Sequence, residues 1–332
     1  MEIALVITVI AVALAFDYTN GFHDAANAIA TSVSTRALTP KAALVMAAIF
    51  NLIGALLGET VAKTIGSGII DPGGGNHGLT IIFAGLIGAI VWNLITWWFG
   101  LPSSSSHALI GGLMGAGIAS ATEVHWGVIG THVAIPMVVS PLIGFVLAYF
   151  IMVGVLWICR NKPPARTMRR FRIAQIFSAA SLALGHGLQD AQKTMGVIFL
   201  ALVAGGYHGV DDHIPLWVKL SAALAIALGT YSGGWRIIRT LGRKVIEVDP
   251  AKGFVAEGVA ASVLYSTAFL FHAPISTTHT ITSAIMGVGA TKRMSAVRWG
   301  VAGNIAVAWV LTMPAAAVVS GLVYLAVRPF FG

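Results

Sequence analysis

Charge is what this chain of 332 residues has least of. Only 10% of it is Asp, Glu, Lys or Arg, against 57% hydrophobic residues, whereas a soluble globular chain carries about 25% charged residues. So little charge excludes a soluble globular protein and makes the bilayer the solvent. Cysteine is almost missing too, and the single thiol, Cys159, excludes an internal disulfide and any cysteine-based metal site. Acids are the scarcer charge, 12 against 20 basic residues, for a net charge of +8. That excess is not a nucleic-acid patch. Residues 160–172 hold Arg160, Lys162, Arg166, Arg169, Arg170 and Arg172 with no acid. Residues 235–252 hold Arg236, Arg239, Arg243, Lys244 and Lys252 against Glu247 and Asp249. Basic segments between apolar runs are the positive-inside signal, which assigns both to the cytoplasmic side.

What is present is long apolar sequence. Residues 79–99 and 108–121 carry no charge, and residues 127–159 run 33 positions without one. A span needs roughly 20 apolar residues, so the last run is long enough to tilt, or to kink near Pro136 and Pro141. The first run, residues 3–16, lacks the basic leader and small-residue cleavage site of a signal peptide and leads into Asp17-Tyr18-Thr19-Asn20. It reads as an uncleaved half-helix.

The chain also repeats itself. The segment from Asn20 to Asn27, containing Gly21, His23 and Asp24, aligns with the segment from His186 to Lys193, containing Gly187, Gln189 and Asp190. Leu101-Pro102-Ser103-Ser104-Ser105-Ser106-His107 aligns with Ala273-Pro274-Ile275-Ser276-Thr277-Thr278-His279. Met114-Gly115 matches Met286-Gly287, Trp126-Gly127 matches Trp299-Gly300, and Pro141 matches Pro314, with the offset staying between 166 and 173. The two halves are residues 1–159 and 173–332, joined by a basic cytoplasmic linker, 160–172. With five crossings per half the N-terminus starts outside. Arg36 and Lys41 then fall inside, the Gly-rich loop 59–78 and Asp211-Asp212 outside, and Lys292-Arg293 inside. Equivalent loops lie on opposite faces, which is the inverted topology of alternating-access carriers. The expected fold is an all-α polytopic membrane protein of two inverted repeats, with about 10–12 transmembrane helices, some of them broken or re-entrant.

Ionisable groups inside apolar spans are costly and mark function. Asp24 and Asp190 occupy equivalent places, beside glycines expected to unwind their helices, and unwound backbone at that depth must line a cavity or be covered by protein. Asp24 shares a helix face with Asn27, and Asp190 with Lys193. The carboxylates, the amide oxygens of Asn20 and Asn27, and freed carbonyls would make a hard oxygen site for a small cation such as sodium. Each Asp can also cap a half-helix. The triplets Ser104–Ser106 and Ser276–Thr278 follow a proline and open Gly-rich apolar helices. Unpaired N–H groups, hydroxyl donors and the positive end of the helix dipole there suit an oxyanion. His107 and His279 would hydrogen-bond and brace these loops. Glu257 reads as a buried acid without a counterpart in the first half, either a second ion site or an ion-pair partner. The serine runs lack the Gly-x-Ser-x-Gly elbow of a hydrolase, so an enzyme is not expected and no cofactor is implied beyond coupling ions.

The four motifs around Asp24, Asp190, Ser104–Ser106 and Ser276–Thr278 together resemble the inorganic phosphate transporter (PiT) family, over nearly the whole chain. The resemblance implies a carrier of the cytoplasmic (inner) membrane that moves inorganic phosphate with a coupling cation. It implies that Asp24 and Asp190 serve the cation, and that the two triplets with Asn27 and Gln192 hold phosphate. His23 and Gln189 stand where members commonly have Asn, and Lys193 stands in place of a second Asn, where it would screen Asp190 or assist the anion. The expected function is sodium-coupled phosphate symport by alternating access. The alternatives are a proton-coupled carrier of phosphate, metal-phosphate or sulfate, and, from another class, an anion channel. A homodimer is compatible with any of them.

The topology has a direct test. With Cys159 replaced, single cysteines placed in 160–172 and in 235–252 should react with an impermeant thiol reagent from one face of the membrane only. A cysteine at Gly74 should react from the other face. Labelling of the two basic segments from opposite faces would overturn the inverted assignment.

Overall fold

Hydrocarbon forces the backbone to satisfy itself within each segment, and the chain does so with helices alone. The computed structural model describes residues 2–331, which form twelve helices and no strand beyond an isolated bridge between Ile70 and Val124. The first repeat contributes α1 (Glu2–Ser34), α2 (Pro40–Ala55), α3 (Thr60–Gly68), α4 (Gly75–Phe99), α5 (Ser105–Ala119) and α6 (Trp126–Cys159). The second contributes α7 (Pro164–Ala204), α8 (Leu216–Ser232), α9 (Trp235–Lys244), α10 (Pro250–Phe269), α11 (Thr277–Ala290) and α12 (Trp299–Phe331). The two series correspond helix for helix, as inverted-topology repeats.

Length and apolarity suffice for a crossing in α1, α4, α6 and α12. The α8–α9 pair, bent by 58° at Gly233-Gly234, passes the same test only when taken together, as a broken span or a re-entrant loop does. At 1.5 Å per residue, α7 with 41 residues is about 60 Å long, and the charges and amides near its middle are what lower its apolar score. The outward faces of α6 and α12 carry Val138, Leu142, Phe150, Val310, Val318 and Leu322, all exposed, as a lipid-facing surface requires.

Packing exchanges parts between the repeats. Helix α5 lies on α12 and its counterpart α11 lies on α6, while α1 packs on α8 and α2 on α7. Lipid tails give no hydrophobic drive for these contacts, so close backbone approach through small residues supplies it. Gly111 and Gly115 admit the backbone of Met313 and Ala317, and Gly287 admits that of Phe145.

The same logic corrects one expectation. Helices α1 and α7 are not broken at the motif glycines; both run unbroken through Asp24 and Asp190. A Cβ at Gly21 would collide with the backbone of Ile226, and one at Gly187 with the backbone of Asn51. These glycines permit helix crossings rather than unwinding. Interruption falls instead before α5 and α11, where residues 101–104 and 273–276 are non-helical. Two further expectations shift. The loop 59–78 contains α3, and residues 164–172 form the first turns of α7. The irregularity expected near Pro136 is a π-helical turn at Ile129–Ala134, directly before it. A proline lacks an N–H and its ring crowds the preceding turn, which the wider π turn relieves.

One end of the bundle gathers basic residues. Arg298 donates through Nη1 to the Arg243 carbonyl at 2.9 Å, and Lys252, Lys292, Arg293 and Arg298 share a cavity of about 210 Å³. At the other end a cavity of about 560 Å³ is lined by Lys63, Asp71, Gly74, His125, Ala204 and Asp211, among others.

A close crossing predicts a graded cost. Gly187→Val overpacks the α7–α2 contact and should destabilise the protein by about 1–3 kcal/mol, lowering its melting temperature in detergent. Gly303→Val, where an added Cβ meets nothing within 4 Å, should leave it nearly unchanged. Equal shifts for both would refute the crossing role.

Candidate functional site

Two helix starts meet in the interior. Ser104 caps α5, its side chain accepting from the His107 N–H at 3.2 Å, and Ser276 caps α11 by accepting from the His279 N–H, also at 3.2 Å. Each triplet is thereby divided. The first hydroxyl is used as a cap, and the next two, Ser105-Ser106 and Thr277-Thr278, are buried in the first turn and turn toward α1 and α7.

Asp24 and Asp190 receive them. Ser105 Oγ donates to Asp24 Oδ2 at 2.8 Å, and Thr278 Oγ1 to Asp24 Oδ1 at 3.3 Å. Thr277 Oγ1 donates to Asp190 Oδ2 at 3.3 Å. Asn27 donates through Nδ2 to Thr278 at 2.8 Å and to Thr277 at 3.3 Å. Lys193, equivalent to Asn27, donates through Nζ to Ser106, equivalent to Thr278, and also to Asp190 Oδ1 at 2.5 Å and to the Ile275 carbonyl at 2.9 Å. The two halves therefore repeat one pattern about the centre, with a different residue at the pivot.

The residues before the two aspartates brace the interruptions. His23 Nδ1 lies 2.7 Å from Asp24 Oδ1, and its Nε2 reaches Thr96 at 3.0 Å and Ser103 at 3.4 Å. Gln189 Nε2 donates to Thr267 at 3.0 Å and to the Ala273 carbonyl at 3.4 Å. The non-helical backbone is thus covered by protein, as its depth demands. Trp309 Nε1 donates to the Pro102 carbonyl at 2.9 Å and Thr240 to the Gly100 carbonyl at 2.8 Å.

Acceptors are left over on one side. Asn20 Oδ1 and Asn27 Oδ1 are buried with no hydrogen-bond partner, and the buried Asp17 carboxylate lies beside Thr194 and Asn20. With Asp24 they form a stripe of buried oxygens on one face of α1, at residues 17, 20, 24 and 27. Asp24, His186 and Asp190 also offer atoms within 4.8 Å of one another.

Not every expected residue joins this cluster. Gln192 lies about 200° around α7 from Asp190; its Oε1 accepts from the N–H groups of Val61 at 2.9 Å and Ala62 at 3.3 Å, at the start of α3. It is a capping residue of α3. Glu257 is fully buried, but its partners are neutral: Thr31 and Ser178 hydroxyls, each at 2.5 Å, and Gln175 Nε2 at 3.1 Å. No ion-pair partner for it occurs among the described residues. His107 and His279 brace through their rings, with centroids 4.8 Å apart and His279 stacked on Trp309 at 4.0 Å.

Asp17 and His186, outside the expected set of site residues, also lie against the cluster. His186 Nε2 is 3.1 Å from Asp190 Oδ2, and its Nδ1 contacts Asn51 Oδ1 at 3.0 Å. The signal for Asp17 was its spacing: seven residues before Asp24, on the same face. For His186 it was the four-residue step to Asp190.

With this geometry in place, comparison with known proteins is direct. The profile of the phosphate transporter family matches residues 20–170 and 159–320. A protein of Rhizobium meliloti (strain 1021), described as a "Probable low-affinity inorganic phosphate transporter", is 53% identical over 326 residues, covering 97% of this chain and 96% of that protein. One of Bacillus subtilis (strain 168) with the same description is 43% identical and covered completely, as is this chain. A solved structure described as "The sodium-dependent phosphate transporter" superposes with a TM-score of 0.87 at 23% identity, covering 98% of this chain and 100% of that one, which establishes a common fold. These relatives are named as transporters rather than enzymes, and phosphate is the substrate of the family. The two matched segments take in both helix starts and both aspartates, and the chain is a multi-pass membrane protein belonging to the phosphate transporter family.

Proposed function

We propose that this chain is a cation-coupled inorganic phosphate symporter of the cytoplasmic membrane, with sodium as the coupling ion, working by alternating access with its basic end in the cytoplasm. The observation that carries the reading is the convergence of two helix starts, Ser105-Ser106 and Thr277-Thr278, on the carboxylates Asp24 and Asp190. Hydroxyls and helix N-termini are donors without net charge, suited to an oxyanion. The unpartnered amide oxygens of Asn20 and Asn27 beside Asp24 are the hard donors that a small metal cation takes. Phosphate would lie between the two helix starts, within reach of Ser105, Ser106, Thr277, Thr278 and the Asn27 amide.

Coupling follows from what the hydroxyls do now. Ser105, Thr277 and Thr278 spend their protons on the two carboxylates. A cation bound to a carboxylate satisfies its lone pairs and frees those hydroxyls to donate to phosphate. Phosphate in turn adds negative charge beside the cation. Each ligand therefore raises the affinity of the other by the same factor. A proton as coupling ion is the second reading, and it draws on the histidines, His23 and His186, that lie against the two carboxylates.

Purified protein in liposomes separates these readings. An imposed inward sodium gradient should drive uptake of labelled phosphate, in preference to sulfate. Uptake that follows a pH gradient in sodium-free buffer, and ignores added sodium, would replace sodium by the proton. Channel-like, gradient-independent flux would refute the symporter. Ser105→Ala and Thr277→Ala should each weaken phosphate binding by about 1–3 kcal/mol, roughly five- to 150-fold, while sodium binding without phosphate is retained, and in Ser105→Ala strengthened, because the hydroxyl that competes for Asp24 is gone. Asp24→Asn should abolish sodium-driven uptake while the protein still folds.

A further inference from the structure

The two halves of the site are equivalent in position and unequal in charge. At the first pivot stands Asn27, whose Nδ2 donates to Thr278 and whose Oδ1 has no partner, next to the unpartnered Asn20 Oδ1. At the second stands Lys193, whose Nζ donates to Ser106 across the same pseudo-axis, to Asp190 Oδ1 at 2.5 Å and to the Ile275 carbonyl at 2.9 Å. Lys193 is 1% exposed and among the largest fully buried side chains of the protein. Its three donors thus meet a carboxylate, a hydroxyl and a carbonyl, an oxygen set of the kind expected around a bound metal cation. A buried charge is tolerated only when paired in this way.

We infer that Lys193 is a tethered cation: its ammonium permanently fills the second of two equivalent cation positions, so that only the Asp24 position exchanges a coupling ion. This deepens the reading of a cation-coupled phosphate symporter and rests on it. The charge count agrees. Asp24, Asp190 and Lys193 carry one net negative charge together, which a single monovalent cation cancels before the anion arrives. A pair of carboxylates without the ammonium would need two. Lys193 is therefore a stoichiometry-setting residue, and its Ser106 contact places the fixed charge beside the anion position. Each transport cycle would then carry one positive charge fewer per phosphate than an Asn at this place would allow, lowering the gradient that the voltage alone can sustain.

The experiment compares the full chain with Lys193→Asn, which restores the amide found at the equivalent first-half position. Two readouts apply: the sodium dependence of the melting temperature in detergent at constant ionic strength, and the cation-to-phosphate ratio in liposomes, taken from the gradient that brings net phosphate flux to zero. In Lys193→Asn the ratio and the Hill slope for sodium should each rise by one. Phosphate binding at low sodium should weaken more than tenfold and recover as sodium is raised. Lys193→Arg should keep the wild-type ratio. An unchanged ratio and slope in Lys193→Asn would overturn the inference. Should that variant fail to fold, the double variant Asp190→Asn with Lys193→Met removes the ion pair as a unit. It should keep the sodium-induced melting shift, which Asp24→Asn should lose. Loss of the shift in the double variant, with retention in Asp24→Asn, would place the exchangeable ion at Asp190 and refute the assignment. Phosphate uptake by the wild type that no cation gradient drives would overturn the symport reading itself, and this inference with it.

Discussion

A carboxylate near the middle of a bilayer costs several kcal/mol unless donors or cations surround it, and this protein carries two of them about one pseudo-axis. Much of its architecture follows from supplying their donors. Hydroxyls must be brought to Asp24 and Asp190, and a helix start is where a short hydroxyl side chain and a free N–H can face the same point. That requires α5 and α11 to begin inside the protein, which in turn exposes the preceding backbone. The carbonyls of Gly100, Pro102, Ala273 and Ile275 are accordingly claimed by Thr240, Trp309, Gln189 and Lys193. The long helices α1 and α7 can then stay regular, because the polar geometry is provided by the elements that come to meet them.

The exchange of parts between repeats serves the same end. Helix α5 rests on α12 and α11 on α6, so each start is held by the other half. Glycines at these crossings bring backbones into contact and fix the depth of each start. The outer faces of α6 and α12 remain apolar toward lipid, while the facing stripes of α1 and α7 and the starts of α5 and α11 carry the buried polar residues of the site. The stripes extend toward the basic end, where Thr31, Thr35, Gln175, Ser178 and Glu257 form a second buried network. At the opposite end the same helices present Leu5, Val6 and Val9 to an apolar cluster with Leu79 and Ile82. The two repeats share a backbone plan, and their side chains make the two ends chemically different.

The paired aspartates, the paired hydroxyl triplets and the repeat were legible because duplication at a steady offset is a pattern in the sequence itself. Which residue of each triplet caps and which faces inward was not, since Ser104, Ser105 and Ser106 are chemically identical and only the helix start distinguishes them. Gly21 and Gly187 could mean unwinding or close approach, and only a neighbouring helix decides between these. Gln192 was assigned through resemblance, although its place 200° from Asp190, about half a turn around α7, already argued that the two could not face one point. Asp17 is an acid in step with Asp24, but that spacing places the two on one face only if α1 is continuous, and the polar residues 17–20 are equally the end of a half-helix until the structure shows α1 unbroken. Glu257 lacked a first-half counterpart because the polar network it joins exists at one end only.

Voltage explains why donors alone would not suffice for such a protein. Phosphate carries one or two negative charges, and moving each against an interior-negative potential costs about 2.3 kcal/mol per 100 mV. Neutral hydroxyls at Ser105 and Thr277 can bind the anion but cannot offset that work, whereas carboxylates that bind cations can. Carboxylates by themselves would repel phosphate in a poorly screened interior. Under the proposed symport the same hydroxyl would serve either partner: it would donate to the carboxylate when no cation is there and be released to the anion when one is. A site in which Ser105 and Thr278 donate to Asp24 and Thr277 donates to Asp190 would, on that reading, join the two ligands through shared protons rather than through distance. Serine and threonine suit this exchange, because a hydroxyl rotates between two acceptors without moving the helix that carries it.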